Sequence, residues 1–331
     1  MDKKILKCQW ERVFSHKKIS LNQAQELLKP YTSALITRLE LLNNGCANTN
    51  YKVSFKNGCP VVLRFYQRDK TALNKEITIT TWLQGKVPTP GYLYSNDKQD
   101  FIDCSYTIFE WVDGQVMREV MLQGSVQDIA ECAYEAGIYL GVLNDFKFQQ
   151  GGFFNKDMTL KAFSEQETLD YFLLQLLAKK RSQTILPKTV VISLEKIVKK
   201  SQHLPLKPQA ANLVHADYDS SNILVKKIRG QWKIAAVLDW EFALASSYLL
   251  DMGLMLRYAH KLPACYESEF IKGILTSGIK LPKVWKHVAK LYDLLSLLTI
   301  LNNEDIHYRQ QTKQDVVALI GNMITFFNSS L

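Results

Sequence analysis

Apolar positions recur with two different periods in the two parts of this chain. Up to about residue 110 they fall in short runs of strand length, at 34–42, 51–55, 61–66 and 105–109. Lys56-Asn57-Gly58, between the second and third runs, contains the Asn-Gly pair that tolerates positive φ, and so predicts a hairpin. Two helices interrupt these runs. Ser20-Leu21-Asn22-Gln23 has the form of a capping box and opens a helix that must stop before Pro30. Residues 69–83 predict the second, and the Val87-Pro88-Thr89-Pro90 stretch breaks it. Beyond Glu110-Trp111-Val112-Asp113-Gly114 the period lengthens to that of helices. These are expected at 125–146, with Ser125 as N-cap, and near 164–180, 190–203, 247–259, 267–276, 282–302 and 312–328. A strand-rich first third and a mainly helical remainder make an α+β arrangement.

One stretch departs from the helical pattern. Leu213-Val214 is a short apolar step that delivers His215, Ala216 and Asp217 to a loop, and Asn222 follows Asp217 at a spacing of five. Residues 223–225 and 234–238 then predict a strand pair turning at Arg229-Gly230, with Asp239 ending the second strand. Asp217 and Asn222 from a loop, and Asp239 from a strand end, are thereby aimed at one place. Phosphoryl transfer needs such a set: one carboxylate orients the attacking hydroxyl, while an amide and a second carboxylate hold Mg²⁺ against the nucleotide phosphates. Alone, Asp-x4-Asn also suits an Asx-rich turn in which Asp217, Asp219 and Asn222 cap backbone groups. His215, the flanking strands and Asp239-Trp240-Glu241 favour the chemistry.

With HADYDSSN followed by LDWE and then YLLDMGLMLR, the chain resembles the aminoglycoside phosphotransferase and choline kinase family, whose fold is protein-kinase-like. The resemblance implies a bilobal α+β molecule: an N-terminal nucleotide-binding lobe over 1–110 and a larger, mainly helical catalytic and substrate-binding lobe over 111–331. It implies Asp217 as catalytic base, Asn222 and Asp239 as Mg²⁺ ligands, and Asp251 as a structural tie for the catalytic loop. His215 would brace that loop. Gly45, Asn48 and Tyr51 match the family's Gly-x-x-Asn-x-x-Tyr loop over the ATP phosphates, although with one glycine a plain surface turn fits as well.

Arg64 lies inside an apolar run, where an unpaired cation is expensive. By the kinase pattern it would hold the nucleotide phosphates with Glu76, on the next helix, as its partner. An edge-strand arginine facing water is the plainer alternative. Backbone groups near Glu110 and Val112 would meet the adenine at the hinge. Ala216 stands where the family usually has Gly, a small change unless the position needs φ > 0. Glu241 stays open between the metal or acceptor shell and solvent.

Composition narrows the partners. At 331 residues, 47% hydrophobic and 22% charged, the chain can bury a full core. No window of ~18 residues is apolar and free of charge, and the first residues are charged without an apolar leader core, so no membrane segment is expected. Six cysteines lie scattered with no Cys-x-x-Cys pair, which argues against zinc or a disulfide framework and for a reducing cytoplasm. Most of the net charge of +9 falls before residue 111, which suits a nucleotide triphosphate, an acidic surface partner or a plain Lys-rich solvated face, and no basic-aromatic nucleic-acid motif accompanies it.

The expected function is therefore an ATP- and Mg²⁺-dependent transfer of the γ-phosphate to a hydroxyl of a small molecule, with no nucleic-acid or membrane partner. A protein Ser/Thr kinase is a second reading; against it, Asp239-Trp240-Glu241 replaces Asp-Phe-Gly and no Ala-Pro-Glu follows. A catalytically inactive nucleotide-binding scaffold is a third, opposed by the joint presence of Asp217, Asn222 and Asp239. The acceptor is not legible: sugars, amino alcohols and amino acids all stay open.

Overall fold

The computed structural model describes residues 6–42, 47–69, 72–98, 102–204 and 211–330. Ser20 opens α1 (Leu21–Leu28) as predicted: its hydroxyl accepts from Gln23 N while the Gln23 side chain accepts from Ser20 N. The strands β1 (Ile36–Leu42), β2 (Thr49–Phe55) and β3 (Val61–Phe65) follow. After α2 (Ala72–Leu83) come β4 (Tyr92–Asn96) and β5 (Tyr106–Glu110). All five strands form one antiparallel sheet in the order β1-β2-β3-β5-β4. Gly58, at φ +112°, turns the β2–β3 hairpin as the Asn-Gly signal requires. Because β3 is the central strand, Arg64 is not the water-facing edge arginine; it is only 7% exposed.

Helix α1 lays Ala24, Leu27 and Leu28 on the sheet against Val53, Leu63, Phe65 and Ile108. The second helix belongs elsewhere. Its Ile79 and Leu83 enter the larger core formed with the C-terminal helices, so α2 bridges the sheet and the helical part.

From Gln115 the chain is mainly helical. A two-residue strand β6 (Gln115–Val116) leads into α3 (Met117–Gln123) and α4 (Val126–Leu143). Short strands β7 (Lys147–Phe148), β8 (Gly152–Phe154) and β9 (Leu160–Ala162) precede α5 (Leu169–Ala178), α6 (Lys180–Ile185) and α7 (Lys188–Lys200). The strands around the candidate site are β10 (Ala211–Val214), β11 (Ile223–Ile228), β12 (Gln231–Val237) and β13 (Leu244–Ser246). Helices α8 (Leu249–Met255), α9 (Cys265–Thr276), α10 (Trp285–Leu301) and α11 (Gln310–Ser330) complete the chain. The longer helices lie where the periodicity puts them. Strands of two or three residues are too short to show a period, which is why β6 to β9 and β13 escape it.

Three features position the loop after β10. The strand is buried between β7 and β13, which fixes where Val214 ends. β11 and β12 pair across Arg229 and Gly230, both at positive φ as a two-residue hairpin turn demands. Beneath them α4 and α9 meet so closely that a Cβ on Gly137 would lie 2.1 Å from Phe270 O. Tyr218, fully buried there, donates its hydroxyl to Ala136 O at 2.8 Å and pins the loop to α4. Among the described residues no helix is long and apolar enough to cross a membrane.

Candidate active site

The loop from His215 to Asn222 is held by backbone contacts before any side chain is used for chemistry. Asp251, wholly buried in the first turn of α8, accepts from His215 N at 2.7 Å and from Ala216 N at 2.8 Å. Burial pushes its carboxyl up to about 6, partly offset by those two contacts. The His215 ring donates from Nε2 to Leu238 O at 2.7 Å, and its Nδ1 accepts from Asp217 N at 3.2 Å. This pair of contacts places the ring proton on Nε2 and makes His215 a brace. Ala216 sits at φ +62°, so the position is one that needs the left-handed region. A Cβ there costs about 1 kcal/mol, and the departure from Gly is therefore not free.

Asp217 and Asn222 meet, and the backbone before Asp239 runs beside them. Asn222 Nδ2 donates to both Asp217 O at 2.9 Å and Asp217 Oδ2 at 2.8 Å. Among the described residues Asn222 Oδ1 takes no hydrogen bond. The backbone closes the set, because Leu238 N donates to Asn222 O at 2.8 Å and Ile223 faces Val237 in the β11–β12 ladder. Asp239 then leaves the strand at φ +67°. Asp217 keeps 29% of its side chain exposed and Asp239 27%, so both carboxylates reach solvent.

On the sheet side Arg64 bridges two carboxylates. Its Nη2 pairs with Asp239 Oδ1, and its Nε lies 3.2 Å from Glu76 Oε2, out of line for a hydrogen bond. Tyr66 OH donates to that same Glu76 oxygen. Burial opposes the Arg64 charge, but Asp239 and Glu76 more than offset it. The Arg64–Glu76 pair is the one the sequence predicts; Asp239 is an added partner.

Glu241 is 5% exposed, which removes the solvent-facing option. It accepts from Asn48 Nδ2 at 2.9 Å and lies 3.4 Å from Arg68 Nη1. Burial and the nearby Asp239 push its carboxyl up to about 7. The Asn48 side chain also accepts from Gln67 N at 3.1 Å, so it is engaged within the protein on both ends. Gly45, the other loop residue singled out, lies outside the described residues. At the expected hinge Glu110 N donates to Gly91 O at 2.8 Å, whereas Val112 lies past the strand end.

Sequence reasoning missed Lys7. Its Nζ is 2.9 Å from Asp217 Oδ1 and also pairs with Asp219, and only 12% of its side chain is exposed. Burial works against the ammonium, yet the two carboxylates hold Lys7 above the ordinary lysine range. Burial would likewise raise Asp219, but Lys7 and the Ser221 donors hold it down to about 2. Nothing in a charged N-terminal stretch signals where it docks.

Asn222 Oδ1 and the Asp239 carboxylate are hard oxygen donors of the kind Mg²⁺ takes when phosphates supply the remaining ligands. Among the described residues no cluster of three His, Cys, Asp or Glu side chains could hold a metal unaided.

Comparison with known proteins bears on this arrangement. The family model described as "Phosphotransferase enzyme family" (APH) matches residues 38–278, well over half of the chain. No match is found among curated proteins. Among solved structures, a putative aminoglycoside phosphotransferase from Ralstonia eutropha JMP134 superimposes with a TM-score of 0.68 at 12% identity, covering 94% of this chain and 99% of that one. Aminoglycoside phosphotransferase APH(4)-Ia gives 0.66 at 16% identity, covering 91% and 99%. The GDP and kanamycin complex of APH(2")-IIia gives 0.67 at 18%, covering 94% and 99%. At these identities the likeness establishes a shared fold.

Proposed function

Because the chain belongs to the APH phosphotransferase enzyme family, we propose that it moves the γ-phosphate of ATP, with Mg²⁺, to a hydroxyl of a small molecule. The observation that supports this reading is the set of contacts tying Asn222 to Asp217 and to the Leu238 backbone, one residue before Asp239. Solved relatives of the same fold were crystallised with ADP and hygromycin B or with GDP and kanamycin, which supports a nucleotide and a small acceptor here.

In this reading residues 1–110 take the nucleotide and 111–331 the acceptor, in the cytoplasm, except that the segment around Lys7 docks on the second part. Asp217 orients the hydroxyl and receives its proton. It is held for this by Asn222 and by its own N–H on His215. Asn222 and Asp239 would hold Mg²⁺, which when bound neutralises phosphate charge. Arg64, kept in place by Glu76 and Asp239, presents its guanidinium to the phosphates. Most of the rate enhancement then comes from positioning and charge neutralisation. Asp217→Asn should cut turnover on a panel of hydroxyl compounds by roughly 10²-fold or more, with Mg-ATP affinity nearly unchanged. An Asp217→Asn protein with full phosphoryl-transfer activity would refute the assignment.

A further inference from the structure

The phosphotransfer reading leaves the acceptor open, and the N-terminal segment narrows it. We propose that Lys7 is a resident part of the acceptor site and restricts it to neutral or acidic hydroxyl compounds, excluding those that bring an ammonium beside the reacting hydroxyl. This inference rests on the phosphotransfer reading above.

Lys7 is delivered by a built segment. Leu6, 6% exposed, enters the C-terminal core. Trp10 Nε1 donates to Asp315 Oδ2 at 2.9 Å. The Glu11 carboxylate accepts from Gln311 N, Thr312 N and Thr312 Oγ1 at the start of α11, where a helix N-terminus favours a negative charge. Arg309 Nε donates to Glu11 O at 3.1 Å. On the sheet side Arg12 Nη2 donates to Ala47 O and Asn48 O, both at 3.0 Å. Leu6 and Lys7 both adopt left-handed backbone, at φ +57° and +60°, a conformation these residue types keep only when their surroundings impose it.

The consequence is electrostatic. Asp217 and Asp219 would together attract an amino group brought by an acceptor, but Lys7 already occupies both carboxylates. An amino alcohol or aminoglycoside would meet a like charge in a partly dehydrated place, where screening is weak. The buried cation nearby, Arg257, is itself paired with Asp293 at 2.7 Å, so Lys7 supplies the positive charge beside Asp217. Asp217 stays partly open, so a hydroxyl can still reach it beside the ammonium.

The test compares wild type, Lys7→Met and Lys7→Arg with Mg-ATP and glucose, gluconate, choline and kanamycin. The quantity read is the ratio of kcat/KM between acceptor classes, which a general loss of stability does not change. Wild type should favour glucose or gluconate over choline and kanamycin by tenfold or more. Lys7→Met should shift that ratio about tenfold towards the cationic compounds, and Lys7→Arg should keep the wild-type order. Should Lys7→Met fail to fold with Asp219 buried alone, the Lys7→Met/Asp219→Asn double variant is expected to show a loss of the wild-type preference. Wild type favouring kanamycin or choline, Lys7→Met keeping the wild-type order, or Lys7→Met speeding all classes equally would overturn the inference, the last by marking Lys7 as a plug. Turnover that Asp217→Asn abolishes but that favours cations sinks the Lys7 inference alone. Absence of any Mg-dependent ATP turnover, hydrolysis included, sinks the phosphotransfer reading and this inference with it.

Discussion

Two cations flank the candidate site and reach it by different routes. Arg64 comes from the middle of a five-stranded sheet, and its partner Glu76 lies on the helix that follows. Lys7 comes from an irregular segment 210 positions away from the carboxylate it pairs with. Their side chains are almost equally buried, at 8% and 12% exposure, so exposure does not separate them. Anchoring does. Arg64 can leave its place only if the sheet opens, whereas Lys7 depends on a few contacts that can open locally. In the proposed function a rigid cation suits the phosphate that every turnover shares, and in the Lys7 proposal a cation on a separable segment suits control over which acceptor enters.

Arg64→Ala tests the rigid side and should have the largest effect. It leaves Glu76 and Asp239 without their buried cation, which costs on the order of 3–5 kcal/mol. The unfolding midpoint should fall, and calorimetry should show Mg-ATP affinity reduced by tenfold or more. Unaltered affinity would remove Arg64 from the nucleotide site. Leu6→Ala tests the separable side. Trimming this buried anchor should cost about 2 kcal/mol, confined to the segment it holds. Amide exchange at residues 7–12 should quicken and Trp10 emission should shift while Mg-ATP affinity holds. Equal loss across the whole molecule would show instead that the segment unfolds with the core.

Beside the same loop lies a carboxylate that no lysine or arginine pairs among the described residues. Asp251 is held by two backbone N–H groups, and its folded-state carboxyl is pushed up to about 6. A carboxyl raised above its unfolded value stabilises the fold while protonated, and that contribution is lost as pH rises through about 6. Stability from this group should therefore fall by about 1 kcal/mol between pH 5 and pH 7. Urea unfolding at the two pH values checks it, with Asp251→Asn lacking this part of the slope. A slope unchanged in that variant would mean Asp251 is already ionised at pH 5.

Much of this was legible in advance where the information is local. The Ser20 capping box, the Lys56-Asn57-Gly58 hairpin and the Arg229-Gly230 turn each depend on a few adjacent residues, and each formed. The Asp217–Asn222 spacing and the strand ending at Asp239 likewise set loop and ladder geometry within one short stretch. Arg64 and Glu76 lie a strand end and one helical turn apart, close enough for an apolar run with one cation to point at its partner.

Other features needed the folded chain. Ala216 needs positive φ because Asp251, on a later helix, draws two consecutive N–H groups towards itself. Glu241 is buried because Asn48, just before β2, and Arg68, just after β3, come to it. Lys7 meets Asp217 only once Leu6 has found the core and Glu11 the start of α11. Local periodicity and turn chemistry act between neighbours along the chain, so the sequence alone determined the order of strands and helices and the short stretch that carries Asp217, Asn222 and Asp239. Which distant charge is dehydrated beside which depends on the packing of the whole molecule, and that balance only the tertiary structure decided.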